Sequence, residues 1–214
     1  MDRKNATTGE TEEAEEKTVK VVIQQCLSAR LKPPRPDEQT DEDFGPDRSI
    51  GAGMVVFVCF SKGATEGAAI RAAGAVARLR LCEPLPPEAD TLPEEDTFPE
   101  VEKEVRKSGK KRMSVLERLG DVLVVPQFTL GAKLKGRKGN NSLQYHGNVD
   151  KADGERLFKA FCAALKALVE EDDPKEVPQG SQGSLRPRVV GGVYGARQRL
   201  AMDTDGPYTH TLQL

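Results

Sequence analysis

The sequence predicts an α+β fold: one strongly curved, β-barrel-like sheet with two helices packed on it. Three observations carry this. Short segments rich in β-branched residues, Val19–Leu27, Gly53–Phe60 and Asp121–Val125, read as strands, the second of them continuously apolar. Two longer stretches, Ala64–Arg80 and Ala152–Glu170, repeat apolar residues at helical spacing. Between them, Lys32–Ser49 and Glu83–Glu104 are too rich in proline and acid to build a core. A chain of 214 residues suffices for one domain with a sizeable core.

In chain order, residues 1–18 read as a disordered acidic tail, with five Glu among the first seventeen residues. The rest, 19–214, reads as a single domain with polar insertions near 32–49, 83–104 and 171–188. Lys32–Ser49 carries four prolines and six acids and is expected to be a loop between strands. The first helix should bury Ile70, Ala73, Ala77 and Leu81. Glu83–Glu104 holds nine acids, five prolines and one lysine, the composition of an exposed insertion. Pro126 cannot donate to a ladder, so the third strand should end, bulge or lie at an edge there. Asp150 and Asp153 sit where a helix N-terminus favours carboxylates. The second helix should bury Leu157, Phe161, Leu165 and Leu168, with Glu155, Arg156, Lys159 and Lys166 outside. Val189–Leu214 contains strand-like stretches broken by glycines.

Composition narrows the function. Hydrophobic residues are 37%, charged residues 31% and net charge −2, so the overall charge does not mark a nucleic-acid binder and its distribution matters more. Cys26, Cys59, Cys82 and Cys162 form no C-x-x-C pair and read as reduced thiols. With only His146 and His210 present, no metal site is expected. No apolar run reaches about 18 residues, and the N-terminus resembles no targeting peptide, so no membrane partner and a cytoplasmic location are expected.

Three segments carry candidate chemistry. From Val122 to Val149 there is no Asp or Glu. That window holds Lys133, Lys135, Arg137 and Lys138, then Asn140, Asn141, Gln144, Tyr145 and His146, with glycines 131, 136 and 139 loosening the backbone. It suits a polynucleotide, with cations for phosphates and amides and a ring for bases, and equally suits an exposed basic loop. Just before it, Pro126-Gln127-Phe128-Thr129-Leu130 offers main-chain N–H groups at a bent strand end, where an ester oxyanion can be held. Thr129 is either a nucleophile, which needs a base beside it, or a plain strand residue. The third segment, Thr204 to His210, contains Gly206-Pro207. This rigid corner either lines a small-ligand pocket or is an ordinary turn.

Together these pieces resemble the D-aminoacyl-tRNA deacylase family, and most closely its animal-type branch. The residues that carry the resemblance are Gln24-Gln25-Cys26-Leu27 with Ala29-Arg30-Leu31, and Val58-Cys59-Phe60 with Lys62-Gly63-Ala64. Pro126 to Gly131, Leu134-Lys135-Gly136-Arg137 and Gln144-Tyr145-His146 follow. Tyr194-Gly195, Arg197-Gln198 and Asp203 to His210 complete the ordered set. The resemblance implies a homodimer with active sites at the subunit interface, an aminoacyl-tRNA substrate and no cofactor. It implies that main-chain N–H groups of Gln127, Phe128 and Thr129 bind the substrate carbonyl. Pro126, Gly206, Pro207 and Tyr208 would then bind the aminoacyl group, and Lys133, Lys135, Arg137 and Lys138 the tRNA. In this family the tRNA 2′-hydroxyl, rather than a protein base, is thought to assist hydrolysis. Pro126, Thr204 and Gln25 are as in the animal-type branch, whereas Phe128 is as in the D-specific enzymes. By that analogy the Gly206-Pro207 bond is expected to be trans, and glycine or L-alanine on the wrong tRNA joins the D-aminoacyl esters as expected substrates. The rival readings are a non-catalytic tRNA- or RNA-binding module and an esterase with Thr129 as nucleophile.

Overall fold

Alternation along the strands sorts the side chains of this chain into two cores. The computed structural model describes residues 17–32, 48–81, 112–118, 120–137, 140–170, 187–206 and 208–214. The tail expected over 1–18 and the insertions expected near 32–49, 83–104 and 171–188 lie outside these ranges except at their edges.

Strands β1 (Val19–Cys26), β2 (Ser28–Lys32), β3 (Arg48–Ile50) and β4 (Gly53–Phe60) lead into helix α1 (Glu66–Arg78). A one-turn helix α2 (Val115–Arg118) precedes β5 (Asp121–Pro126) and a 3-10 helix, Phe128–Gly131. A hairpin of β6 (Lys133–Arg137) and β7 (Asn140–Gln144) leads to α3 (Lys151–Glu170). Strands β8 (Val189–Gly191), β9 (Arg199–Asp203) and β10 (Thr209–Gln213) finish the chain. The main sheet has the order β10-β1-β4-β5-β8, and a second has β3-β2-β9. Only the β4–β5 and β5–β8 pairings are parallel in these two sheets.

On β4, Met54, Val56, Val58 and Phe60 face the helices, with Val19, Val21 and Ile23 of β1 and Val122 and Val124 of β5. Val55, Leu123 and Val125 face the opposite way, with Cys26 at the end of β1, onto Ala29, Leu31 and Ile50 of the second sheet. Both faces are therefore buried, which is why these strands read as unbroken apolar runs rather than alternating ones. β1 continues into β2 through Leu27, whose N–H donates to Asp203 O at 2.9 Å. That bend carries the chain from one sheet to the other and gives the unclosed curvature.

The expected loop 32–49 needs correcting at both ends. Lys32 closes β2 and Arg48–Ile50 is a strand paired with it. Its start is cationic and polar, so nothing in composition distinguished Arg48-Ser49 from the loop before it.

Helix α1 begins where Thr65 Oγ1 accepts from Ala68 N at 3.1 Å. Its buried face is Ala69, Ala72, Ala73, Val76 and Ala77. Ala73 and Ala77 of the expected stripe are buried and Leu81 is partly buried, but Ile70 is 47% exposed. Helix α1 packs closely against α3, where small residues let the two backbones approach, and Ile70 falls at the edge of that arc. Asp150 caps α3, accepting from Asp153 N through Oδ1 at 2.9 Å. Leu157, Phe161 and Leu165 are fully buried, and Leu168 is partly buried as the stripe extends to Phe158 and Val169. Phe161 meets Phe60 edge to face, 6.5 Å between centroids. Lys159 pairs with Glu155 on the outer face.

Pro126 ends β5 without costing a ladder bond. Odd residues of β5 turn their N–H groups to β4, as Asp121 N to Ala52 O and then Gln127 N to Val58 O show. Even ones turn to β8, as Val122 N to Arg188 O shows. The Pro126 nitrogen thus faces the side where β8 has already stopped at Gly191.

Phe161→Ala should cost about 3–5 kcal/mol of stability, whereas Ile70→Ala should cost less than about 1 kcal/mol. Urea unfolding of the two variants separates this helix orientation from one with Ile70 in the core.

Candidate active site

The parallel strands β4, β5 and β8 point the same way, so the segments that follow them meet at one edge of the sheet. A crevice at the carboxyl ends of parallel strands is the usual ligand position in such sheets. Here it is a cavity of about 710 Å³. Its floor is Leu31, Phe57, Cys59 and Val125, its near wall Pro126, Gln127 and Phe128, and its far wall Tyr194 to Gln198. Tyr145, Asn148 and Lys151 close the side toward α3.

Each wall has a local cause. After β8, Gly192 passes so close to β5 and β2 that a Cβ there would lie 2.9 Å from Pro126 Cδ and 3.0 Å from Leu31 Cδ2. Gln198 Oε1 then accepts from Val193 N at 2.7 Å and closes the 193–198 loop. Gly195 takes the turn with φ +71°, a left-handed conformation that suits glycine. The Tyr194 ring packs on Phe158, 5.9 Å between centroids, and its hydroxyl fills the space where a Cβ on Gly154 would sit. Burial, then neighbouring acidic groups, raises the Tyr194 phenol above its ordinary pKa.

The near wall holds most of the sequence-derived candidates. Gln127 N donates to Val58 O at 2.8 Å, so this amide is spent on the sheet. Phe128 and Thr129 open the 3-10 helix, where N–H groups have no acceptor within the helix. Among the described residues neither has another acceptor. Phe128 is 59% exposed at the cavity rim, its ring 5.1 Å from that of Tyr145. Thr129 Oγ1 accepts from Gln127 Nε2 at 2.6 Å. A primary amide cannot take up a proton, so this contact does not activate the hydroxyl.

Among the described residues Cys59 is the one thiol in the cavity. Burial raises its pKa, against smaller opposing effects of the Gly131 backbone and Lys20. The protonated thiol donates to Phe128 O at 3.6 Å. Cys162, pushed up to about 12 by burial, is likewise a thiol. Neither is a thiolate nucleophile at neutral pH. Among the described residues no cluster of three or more His, Cys, Asp or Glu side chains is arranged to hold a metal.

The basic segment is a hairpin rather than a loose loop. Gly131 is buried in the 3-10 helix and Gly136 lies within β6. Lys133 pairs with Gln144, Lys135 with Ser142 and Arg137 with Asn140, so these positions share one face. Leu134 and Leu143 face each other on the opposite side, 68% and 59% exposed. Lys133 and Lys135 are exposed, with no acid paired to them among the described residues. Lys138 lies outside the described residues.

Gly206 and Tyr208 sit elsewhere. Thr209, at the start of β10, pairs with Gln24, Gln24 with Val55 and Val55 with Leu123. That row is three residues from Pro126 and three strands across. At about 3.3 Å per residue and 4.8 Å per strand, roughly 15–20 Å separates Thr209 from Pro126, with Gly206 beyond it. Within one subunit, then, the two candidate corners lie at opposite ends of the sheet. Gly206 has φ +83°, and Gln24 Nε2 donates to its carbonyl at 3.4 Å. Tyr208 is 56% exposed. Pro207, and with it the expected trans bond, lies outside the described residues.

The far wall was not foreseen as a site. Tyr194, Gly195, Arg197 and Gln198 belong to the resemblance, but no role followed from it, and Lys151 had no signal beyond its place at a helix start. The parallel course of β8 beside β5 puts them opposite Phe128, and that pairing is not visible in local sequence.

No described helix is long and apolar enough to cross a membrane. A family profile described as D-Tyr-tRNA(Tyr) deacylase matches residues 100–213. The chain is 35% identical over 194 residues to D-aminoacyl-tRNA deacylase 2 of Danio rerio, covering 91% of this chain and 98% of that protein. It is 32% identical over 195 residues to the Homo sapiens protein of the same name, covering 91% and 94%. Two solved structures share the fold. One is described as a probable eukaryotic D-amino acid tRNA deacylase, with TM-score 0.63, 22% identity and coverage of 92% of this chain and 100% of that one. The other is a c-Myc DNA unwinding element binding protein, with TM-score 0.59, 20% identity and coverage of 91% and 98%. With relatives this similar over nearly their whole length, the chain belongs to the D-aminoacyl-tRNA deacylase family.

Proposed function

We propose that this chain hydrolyses the ester between a misattached amino acid and the 3′ end of tRNA, removing D-amino acids, and glycine or L-alanine from non-cognate tRNA. The observation that carries this reading is a pair of N–H groups without acceptors among the described residues, Phe128 and Thr129, at the rim of an aromatic-walled cavity. The chain runs from them straight into the basic hairpin.

The parts divide the work by their chemistry. The cations of β6, Lys133, Lys135 and Arg137, with Lys138 after them, hold phosphates of the acceptor end. Lys151 and Arg197 at the cavity offer further positive charge to the terminal phosphate. The rings of Phe128, Tyr145 and Tyr194 suit stacking with the terminal base. The ester carbonyl accepts from Phe128 and Thr129 N–H, which also hold the negative charge as the carbon becomes tetrahedral. Water adds to the carbonyl carbon, the bond to the ribose 3′ oxygen breaks and that oxygen leaves protonated. Thr129 has an amide for a neighbour and Cys59 stays protonated, so neither activates the water, and the ribose 2′-hydroxyl orients it, as the family resemblance implies.

Selectivity falls to Pro126 and to Gly206, Pro207 and Tyr208 of a second copy. The separation of the two corners within one subunit supports a homodimer, in which each corner reaches the other subunit's rim. Such a dimer works in the cytoplasm, where charged tRNA is made.

Purified protein should deacylate D-aminoacyl-tRNA in a panel that also contains glycyl and L-alanyl esters on non-cognate tRNA. Inertness toward all of them refutes the reading. Thr129→Val should lower the rate by less than about tenfold, against roughly a thousandfold or more for loss of a nucleophile. Gly206→Phe should abolish turnover while tRNA binding persists, whereas an RNA-binding module without catalysis has no turnover to lose. Lys133→Ala and Lys135→Ala should each weaken tRNA binding and reduce the slope of log K against log salt by about 0.7–0.9. Filter binding over a salt series reads this.

A further inference from the structure

We propose that Asn148 is a positioning residue for deacylation: its side-chain amide holds the Phe128–Thr129 peptide so that the Thr129 N–H faces outward to the substrate. The proposal rests on the deacylase reading and adds to it a residue that acts through the main chain.

The Phe128 carbonyl accepts from two side-chain donors, Asn148 Nδ2 at 2.7 Å and the Cys59 thiol at 3.6 Å. In a planar trans peptide the C=O and the following N–H point in opposite directions. Drawing Phe128 O inward toward buried Cys59 therefore sends the Thr129 N–H outward, where Thr129 is exposed. The 3-10 helix leaves the Thr129 N–H without an acceptor at its first turn, and the Asn148 and Cys59 donors reinforce from outside the direction in which the helix turns Phe128 O.

Asn148 is itself held in place. Its N–H donates to Tyr145 O at 3.0 Å, closing a turn whose Tyr145 ring lies against the Phe128 ring. Lys62 N to Gly147 O at 2.8 Å and Val149 N to Phe60 O at 3.2 Å tie that turn to the end of β4. The side chain occupies the space that Gly131 leaves, for a Cβ there would lie 1.7 Å from Asn148 Oδ1. That Oδ1 is buried without a hydrogen-bond partner among the described residues. An orphaned buried acceptor offsets the gain from the Nδ2 bond, so stability does not account for an asparagine here. Orientation of the peptide does.

Asn148→Asp keeps the shape, removes the donor and sets an acceptor against Phe128 O, and Asn148→Ala removes the anchor. Both should lower kcat about 10- to 100-fold with KM for charged tRNA within about twofold. The melting temperature of the alanine variant should be unchanged or higher. Gly131→Ala should lower kcat similarly and combine non-additively with Asn148→Ala. The readout independent of turnover is the Thr129 backbone amide resonance, which should move in both Asn148 variants while those of Val56 and Val124 stay. Unchanged kcat with an unmoved Thr129 resonance overturns the proposal, as does a kcat loss that only tracks unfolding. If the wild type deacylates nothing, the deacylase reading falls. The Thr129 resonance then still decides the anchor: displaced supports it, unmoved overturns it.

Discussion

The structure depends on the parallel pairing of β4 with β5, buried on both faces. Its register is set at the start, where Gly53 lies against Asp121. A Cβ on Gly53 would sit 1.9 Å from Asp121 O, so no other residue permits this approach. The Asp121 carboxylate accepts from Gly51 N at 3.1 Å and from Arg188 N at 2.9 Å. One buried side chain thus fastens the starts of β4, β5 and β8 together. With the starts aligned and the directions equal, the three ends are aligned too. The cavity and the rim at Phe128 follow from that alignment.

A proline at the end of a central strand looks like a defect and acts as a switch. Its missing N–H faces a vacated position, and the chain beyond it is free to leave the sheet. It leaves as a 3-10 helix, whose first amides have no partner inside it. The same few residues that end the ladder therefore leave free the donors on which the proposed hold on an acyl oxygen rests. The basic hairpin begins directly after this turn, so charge and donors are joined by a short, well-anchored piece of chain.

Much of this was legible in sequence, for identifiable reasons. Gly53–Phe60 and Asp121–Val125 are apolar throughout because both their faces are buried, and such runs are hard to mistake. Asp150 announced the start of α3 because a helix terminus has free N–H groups that a carboxylate satisfies. Local periodicity failed where a tertiary neighbour decided the outcome. Ile70 fits a helical stripe, yet close approach of α1 selects alanines. Arg48-Ser49 resembles the loop before it and is a strand only because β2 is there to pair with. Residues 126–130 stood out through proline and a resemblance, whereas the Tyr194–Gln198 wall depends on β8 lying beside β5. Asn148 had no local signal, since its meaning lies in a bond to Phe128, twenty residues earlier in the chain. The distance between Gly206 and Pro126 within a subunit is likewise a matter of sheet order, which spacing along the chain does not encode.

The central claim is that main-chain donors at the rim hold the acyl carbonyl while a second copy's corner closes over it. A crystal structure with an aminoacyl-adenosine carrying an amide in place of the ester tests this most directly. The account predicts the acyl oxygen within hydrogen-bond distance of Phe128 and Thr129 N–H, with residues 206–208 of another subunit against the aminoacyl group. An acyl group bound away from these amides, or a corner remote from the rim in every subunit pairing, would contradict it.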